Sequence, residues 1–351
     1  MVENNSRKAY FAAANSGNGF VSMFDEIFFG KNIKRRYIIK GGPGTGKSSF
    51  IRKVGLSAER QGLPVEYYYC SSDTDSLDGA VIGGSVALLD GTAPHSYDTI
   101  APGVYDEIVN LGQFWNSEKL GRHADKIAEL GKLKSAAYRR AYGYLGAALA
   151  TVKTAEDVVS DCVLADKMKA AAARDISKLS LSKKGSVTVA QTEAMGVHGR
   201  VYLPTLALSA GHIHAVEDCY GIASAYLGEL FSLARSRGYE AKVSFDTVDT
   251  AKVREILFPE TGDCFTAVYE ATENCSRVNV KRFVDTEKYA AVRQTYRSAM
   301  NCYDRLCRLA MESLSSAGKA HGEMEKYYVA AMDFVSQEKY CARFIDKLSI
   351  L

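Results

Sequence analysis

Apolar residues cluster in short extended runs through the first third of the chain and recur at helical spacing in the middle and at the end. From Ala9 to Phe24, two apolar runs flank Asn15-Ser16-Gly17-Asn18-Gly19, which predicts a β-hairpin around a Gly/Asn turn. Tyr37-Ile38-Ile39 stops abruptly at Gly41-Gly42-Pro43-Gly44 and predicts a buried strand entering a loop. Phe50, Val54 and Ala58 then recur on every fourth residue between Lys47 and Gln61, and Gly62 follows, as in an amphipathic helix with a glycine C-cap. Val65 to Cys70, β-branched and aromatic, reads as a second strand, with Tyr67-Tyr68-Tyr69 as strand core. Val86-Ala87-Leu88-Leu89 before Asp90 reads as a third strand, and its wholly apolar run suits a parallel sheet covered on both faces.

After Trp115 the composition shifts to Ala, Lys, Glu and Leu with few breakers until Lys183-Lys184-Gly185, which predicts a helical hairpin or lid. The second half repeats the plan: a strand at His212 to Val216, a helix from Ala223 to Arg237 ending at Gly238, a strand at Ala241 to Phe245, and helix from Glu287 onward. Sliding Gly62 onto Gly238 also puts Asp73 on Asp249, although few other identities align. The expected fold class is α/β: a parallel sheet with a helical insert, pseudo-duplicated with a degenerate second α/β lobe. The expected boundaries are residues 1–114 for the first lobe, 115–195 for the insert and linker, 196–284 for the second lobe and 285–351 for the C-terminal helices.

Composition narrows the class without choosing a chemistry. Of 351 residues, 47% are hydrophobic and 24% charged, as in ordinary globular domains, and the net charge of +3 gives no global attraction to nucleic acid. The longest uncharged stretches, Ala9 to Phe24 and Val201 to Val216, fall short of the ~18 residues of a membrane span, and the N-terminus has an acid where a secretory signal is basic. The expectation is a cytoplasmic protein with no membrane partner. Its 8 cysteines include no Cys-x-x-Cys pair and no cluster beside histidine, so they are expected to be reduced thiols.

One motif carries chemistry. Gly41-Gly42-Pro43-Gly44-Thr45-Gly46-Lys47-Ser48 matches G-x-x-x-x-G-K-[ST] between a predicted strand and a predicted helix, with Ser49 next in line. Its glycines let successive backbone N–H groups point inward as a nest for phosphate oxygens at the positive end of the helix. Lys47 is placed to bridge β- and γ-phosphates, and the Ser48 hydroxyl to ligate the Mg²⁺ they carry. A magnesium-holding acid at the end of a neighbouring strand is the usual complement, and Asp90 fits that position. Gly91 follows it, so no second carboxylate is supplied there to orient water. Asp73 and Asp75, in Ser71-Ser72-Asp73-Thr74-Asp75-Ser76-Leu77-Asp78-Gly79, and His95 in the next loop are candidates for the reacting edge, as base, magnesium-water ligand or substrate contact. His212 and His214 have metal-pair spacing on one strand face but lack a third ligand, and Arg139-Arg140 read as helix surface more than as a charge-stabilising finger.

With Lys40 to Ser49, Tyr69 to Gly79 and Leu89-Asp90-Gly91-Thr92-Ala93-Pro94-His95, the chain resembles a poorly characterised family of bacterial tandem P-loop proteins described as predicted ATPases. The resemblance is closest over residues 9–150. It implies a first lobe that uses Gly41 to Ser49 for phosphate, Ser48 and Asp90 for magnesium, and Asp73, Asp75 and His95 around the reacting phosphate, followed by a duplicated lobe. Many members carry a second intact loop, where this chain reads Glu217-Asp218-Cys219-Tyr220-Gly221-Ile222-Ala223-Ser224, and its second strand-end position offers Thr266 or a neighbour instead of an acid. Without the lysine and with acids at the phosphate end, that lobe is expected to hold no triphosphate. The function expected is a slow Mg²⁺-dependent ATPase with one active site and ATP as its nucleotide. Two alternatives stay open: a kinase whose insert closes over ATP and a small-molecule acceptor, and a non-enzymatic nucleotide switch acting on a protein partner.

Overall fold

The computed structural model describes residues 8–93, 96–182, 184–268 and 275–348. The first half runs β1 (Lys8–Phe11), β2 (Ala13–Ser16), β3 (Gly19–Ser22), α1 (Phe24–Phe28), β4 (Arg35–Lys40), α2 (Lys47–Arg60), β5 (Val65–Tyr69), β6 (Leu77–Ile82), β7 (Val86–Asp90) and β8 (Asp106–Asn110). A 3₁₀ turn (Leu111–Phe114) then leads into α3 (Ser117–Gly121), the long α4 (Ala124–Ser160) and α5 (Ala165–Lys178). The second half runs β9 (Val187–Val189), β10 (Glu193–Gly196), β11 (Gly199–Tyr202), α6 (Thr205–Leu208), β12 (His212–Glu217), α7 (Ala223–Arg237), β13 (Ala241–Phe245), β14 (Val253–Phe258), β15 (Asp263–Thr266) and β16 (Ser276–Asn279). It closes with the long α8 (Thr286–Ala331) and α9 (Phe334–Leu348).

The fold is α/β, and its sheets are mixed where a parallel sheet was expected. The first has the order β1-β5-β6-β7-β4-β8. β7, β4 and β8 run parallel, as do β1 and β5, whereas β6 is antiparallel to both of its neighbours. The reason is a tight hairpin between β6 and β7, in which Gly83 and Gly84 both take positive φ (57° and 67°) and so supply the twist a two-residue turn needs. The second sheet reads β9-β13-β14-β15-β12-β16 with the same senses strand for strand. β9 lies within the stretch expected to be insert and linker and β10 crosses its end, yet β9 is the edge strand of this second sheet and β10 pairs with β11 beside it.

The two sheets face each other. Ile38, Ala87 and Leu89 of the first share a buried cluster with Leu257 and Cys264 of the second, alongside Phe24 and Phe28 of α1 and Leu206 of α6. On its outer face each sheet buries a helix of its own half and one from the other half. Phe50, Ile51 and Val54 of α2 are buried together with Cys341 and Phe344 of α9. Tyr226 and Leu230 of α7 are buried with Met168, Ala172 and Ile176 of α5. The chain thus exchanges its terminal helices between halves.

The exchange is made by α4 and α8, which pack as an antiparallel pair around Ala141, Leu145, Ala148, Ala310 and Leu314. Matching backbone bonds close both ends of the pair. Asn116 N–H donates to Ala331 C=O and Asp333 N–H to Phe114 C=O at one end, and Leu164 N–H to Phe283 C=O and Asp285 N–H to Cys162 C=O at the other, all at 2.8 Å. The hairpin turns swap too: Gly17 N–H donates to Val248 C=O at 2.9 Å, and Val197 N–H to Ser72 C=O at 2.8 Å. Among the described residues no helix is long and apolar enough to cross a membrane. All eight cysteines are free thiols.

Candidate functional site

The loop Gly41 to Gly46 leaves the C-terminal end of β4 and turns into α2, whose first residue is Lys47. Gly44 and Gly46 adopt left-handed backbone (φ 64° and 80°), which is what brings the chain from the sheet edge into the helix within so few residues. Thr45, buried beneath the loop, donates its hydroxyl to Gly42 C=O at 2.8 Å. Lys47 lies back across the loop, its Nζ donating to Gly41 C=O at 3.1 Å and Gly42 C=O at 2.9 Å. Pro43 is half-buried in the loop, and Ser49 is exposed on the first turn of α2.

Asp90 ends β7, the strand paired to β4, and its Oδ2 lies 3.6 Å from Lys47 Nζ. Its other oxygen accepts from Thr92 N–H at 2.8 Å and from the Thr92 hydroxyl. Burial pushes the Asp90 carboxyl above the usual aspartate range, with Lys47 and Thr92 pulling the other way. Ser48, on the next residue of α2, accepts Leu77 N–H at 2.9 Å, which orients its hydroxyl and leaves a second lone pair for a cation. The loop, a lysine and a strand-end acid therefore converge as the motif requires, and Ser48 and Asp90 have the donor chemistry to hold Mg²⁺ with a nucleotide.

Asp73 and Asp75 follow β5 in a turn of their own. Asp73 accepts the Ser76 hydroxyl at 2.7 Å and Asp75 N–H at 3.3 Å, while the Asp75 side chain is 88% exposed. Both face His198, at 3.7 Å and 3.5 Å, from the β10–β11 turn of the other half. Their ligand atoms and that of His198 lie within 4.8 Å of one another, a set of three that could hold a metal ion at the junction of the halves. His95 lies outside the described residues, as does Pro94. Of the paired histidines, His214 is already engaged, its Nε2 contacting Asp263 Oδ1 at 2.7 Å and its Nδ1 the Ser276 hydroxyl at 2.6 Å, while His212 is exposed with its Nδ1 4.0 Å from Asp263. Arg139 and Arg140 are exposed on α4, where Arg139 lines a cavity of about 490 Å³ together with Lys132, Lys134 and Met324.

The residues that no local motif marks come from α4, α8 and α9. Gly44 N–H donates to Glu325 Oε1 of α8 at 3.1 Å, a contact between groups 281 positions apart. His321, one helical turn earlier, lies 3.6 Å from the same oxygen. Burial lowers the His321 pKa, as does Lys134, while Glu325 opposes them. Burial likewise lowers the Lys134 pKa, helped by the charge of Lys47 and opposed by Glu325. Tyr328 and Gln337 complete the wall. A Cβ on Gly42 would sit 2.6 Å from the Tyr328 ring, and Gln337 donates to Thr45 C=O at 2.9 Å.

Comparison of the chain with protein-family models, with curated proteins and with solved structures gives no match.

The second half supplies an internal control. Between β12 and α7 its loop has no lysine, and the Asp218 carboxylate accepts Ala223 N–H at 2.9 Å, occupying the helix N-terminus with a charge of its own. Tyr220 takes positive φ (62°) and stacks on Tyr289 of α8 with ring centroids 3.7 Å apart. At the end of β15 stands Thr266, followed by Ala267, where β7 ends in Asp90.

Proposed function

We propose that the chain binds a nucleoside triphosphate, ATP, at Gly41 to Ser49 and hydrolyses it slowly with Mg²⁺, as the bacterial tandem P-loop family it resembles is expected to do. The observation that carries the reading is the Gly44 N–H bonded to a carboxylate in a glycine loop that opens a helix, with Lys47 and Asp90 beside it. A nest that already holds an anion is a nest with the polarity phosphate needs. The loop amides and Lys47 would hold the β- and γ-phosphates, and Ser48 and Asp90 the magnesium, which supplies charge neutralisation at the transferred phosphoryl group. Water adds to the γ-phosphorus as its bond to the bridging oxygen breaks, giving ADP and phosphate. Asp73 is the carboxylate assigned to orient that water, with Asp75 the alternative from the same turn.

The test is phosphate release from MgATP by wild type and Lys47→Ala, with ATP binding measured in parallel by calorimetry. Loss of turnover by roughly 100-fold or more in the variant is expected, since Lys47 acts on charge that grows in the transition state. Wild type that binds ATP and releases no phosphate would remove hydrolysis from the reading. One observation favours a nucleotide switch as the second reading: the helix that touches the loop at Glu325 also touches the other half's loop at Tyr289. Tight ATP binding without turnover would select it.

A further inference from the structure

The Gly44 amide of the loop is bonded to a carboxylate carried by a neighbouring helix. Glu325 Oε1 accepts the Gly44 N–H at 3.1 Å, and a Cβ on Gly44 would lie 3.1 Å from the Glu325 carbonyl oxygen and 2.9 Å from Val329, so α8 lies directly on the loop. Two titratable groups face this carboxylate, Lys134 of α4 and His321 of α8, and both also feel the charge of Lys47 of α2. Lys47 is satisfied by loop carbonyls and by Asp90. Lys134 has no hydrogen bond or ion pair among the described residues, although burial already lowers its pKa. Lys134 is half-buried, and the Glu325 charge favours its ammonium form, so an anion that takes the place of Glu325 meets the same cation. The same lysine lines the 490 Å³ cavity that also receives Lys132 and Arg139 and has no carboxylate in its wall.

The contrast with the second half gives the contact its meaning. There the helix N-terminus is occupied by Asp218 of the loop itself, five positions from its donor Ala223, an anion that cannot leave. Here the anion is the partly exposed side chain of Glu325 on α8, 281 positions from its donor, and rotation of that side chain alone releases the loop amide. We propose that the Glu325 carboxylate competes with a nucleotide phosphate for the Gly44 amide, and that a bound triphosphate displaces it and takes Lys134 of α4 as a second cation beside Lys47. The proposal rests on the nucleotide reading above and deepens it: the α4–α8 pair is a wall of the site, and nucleotide binding works against a built-in competitor.

The experiment is calorimetric binding of MgATP to the full chain for wild type, Glu325→Gln, Lys134→Ala and Lys47→Ala, each with a thermal melt to establish folding. Removing the competing charge while keeping the side chain's size should tighten ATP binding in Glu325→Gln about tenfold, equivalent to ~1.4 kcal/mol. Lys134→Ala should weaken it by about the same factor. If Glu325→Gln does not fold, Glu325→Asp serves, because a carboxylate one methylene shorter loosens the contact and shifts affinity in the same direction. Wild-type binding that depends on Lys47 but is unchanged or weakened in the Glu325 variant overturns the proposal and leaves the nucleotide reading intact. Absence of ATP binding in both wild type and Glu325→Gln overturns that reading and the proposal with it.

Discussion

Glu255 is a carboxyl group placed where water does not reach. It is fully buried in β14, accepting the Tyr202 hydroxyl at 2.8 Å and the Thr192 hydroxyl, and burial pushes its pKa up to about 7 against the pull of those hydrogen bonds. Glu193, a neighbour whose pKa burial also raises, adds to the effect despite Arg254 at 3.5 Å. The sign follows from linkage. Between the ordinary glutamate range and pH 7 the unfolded chain gives up a proton that the folded chain keeps, so stability falls as pH rises through that window and levels off above it. For Glu255 the loss is on the order of 3 kcal/mol. Glu255→Gln should flatten the pH dependence, so that its thermal midpoint drops less than that of wild type between pH 5 and pH 7.5. Equal drops in the two proteins would remove Glu255 as the source. Individual residues of this kind were opaque in the sequence, because a glutamate's burial depends on partners on other strands. Lys47 and Asp90 were legible because their spacing to a strand end and a glycine loop is local. Glu325 and Lys134 were not, since only the pairing of two distant helices brings them to the loop.

Elements with strong local periods were read correctly, down to the bounds of α7 and β13, whereas β6, β8, β14 and β15 were passed over. β6 has all six residues buried and Asp78 and Gly79 in its interior, so neither alternation nor an unbroken apolar run marked it. The hairpin glycines at 83 and 84 were the signal available, and they alone convert a parallel expectation into a mixed sheet. Helix exchange had no sequence signature at all, because an amphipathic helix records that it is covered and not by which half. Phe344 of α9 tests the exchange. Its ring lies 4.9 Å from Tyr37 and 5.1 Å from Phe50, and the side chain is 5% exposed. Phe344→Ala should therefore cost the first half about 3–5 kcal/mol in denaturant unfolding, a core penalty exacted on the first sheet by a residue near the C-terminus. A loss below about 1 kcal/mol would mean that α9 is a loosely docked tail.

At the scale of the molecule, two halves of matching sheet geometry carry different loops. Two sheets of identical order, crossed hairpins and matched backbone bonds at both ends of the α4–α8 pair give the halves one geometry, while Lys47 and Asp90 on one side and Asp218 and Thr266 on the other give them different loop chemistry. α8 touches both loops, through Glu325 at one and Tyr289 at the other, so it is the element on which a change at one loop would load the other. Trp115, the single tryptophan, reports on that load. Its N–H and C=O neighbours tie the 3₁₀ turn to the end of α8, and its ring lies 6.0 Å from Tyr328, which is also the side chain against Gly42. Displacing Glu325, one turn before Tyr328, should alter the packing of that pair. ATP titration is therefore expected to change tryptophan emission with an end point of one nucleotide per chain, and Lys47→Ala should abolish the change. An end point of two would mean that the Asp218 loop also takes nucleotide, against its occupied helix terminus. Binding by calorimetry with no change in emission would mean that ATP enters the loop without moving α8, and would separate occupancy of the site from any signal carried along the helix pair.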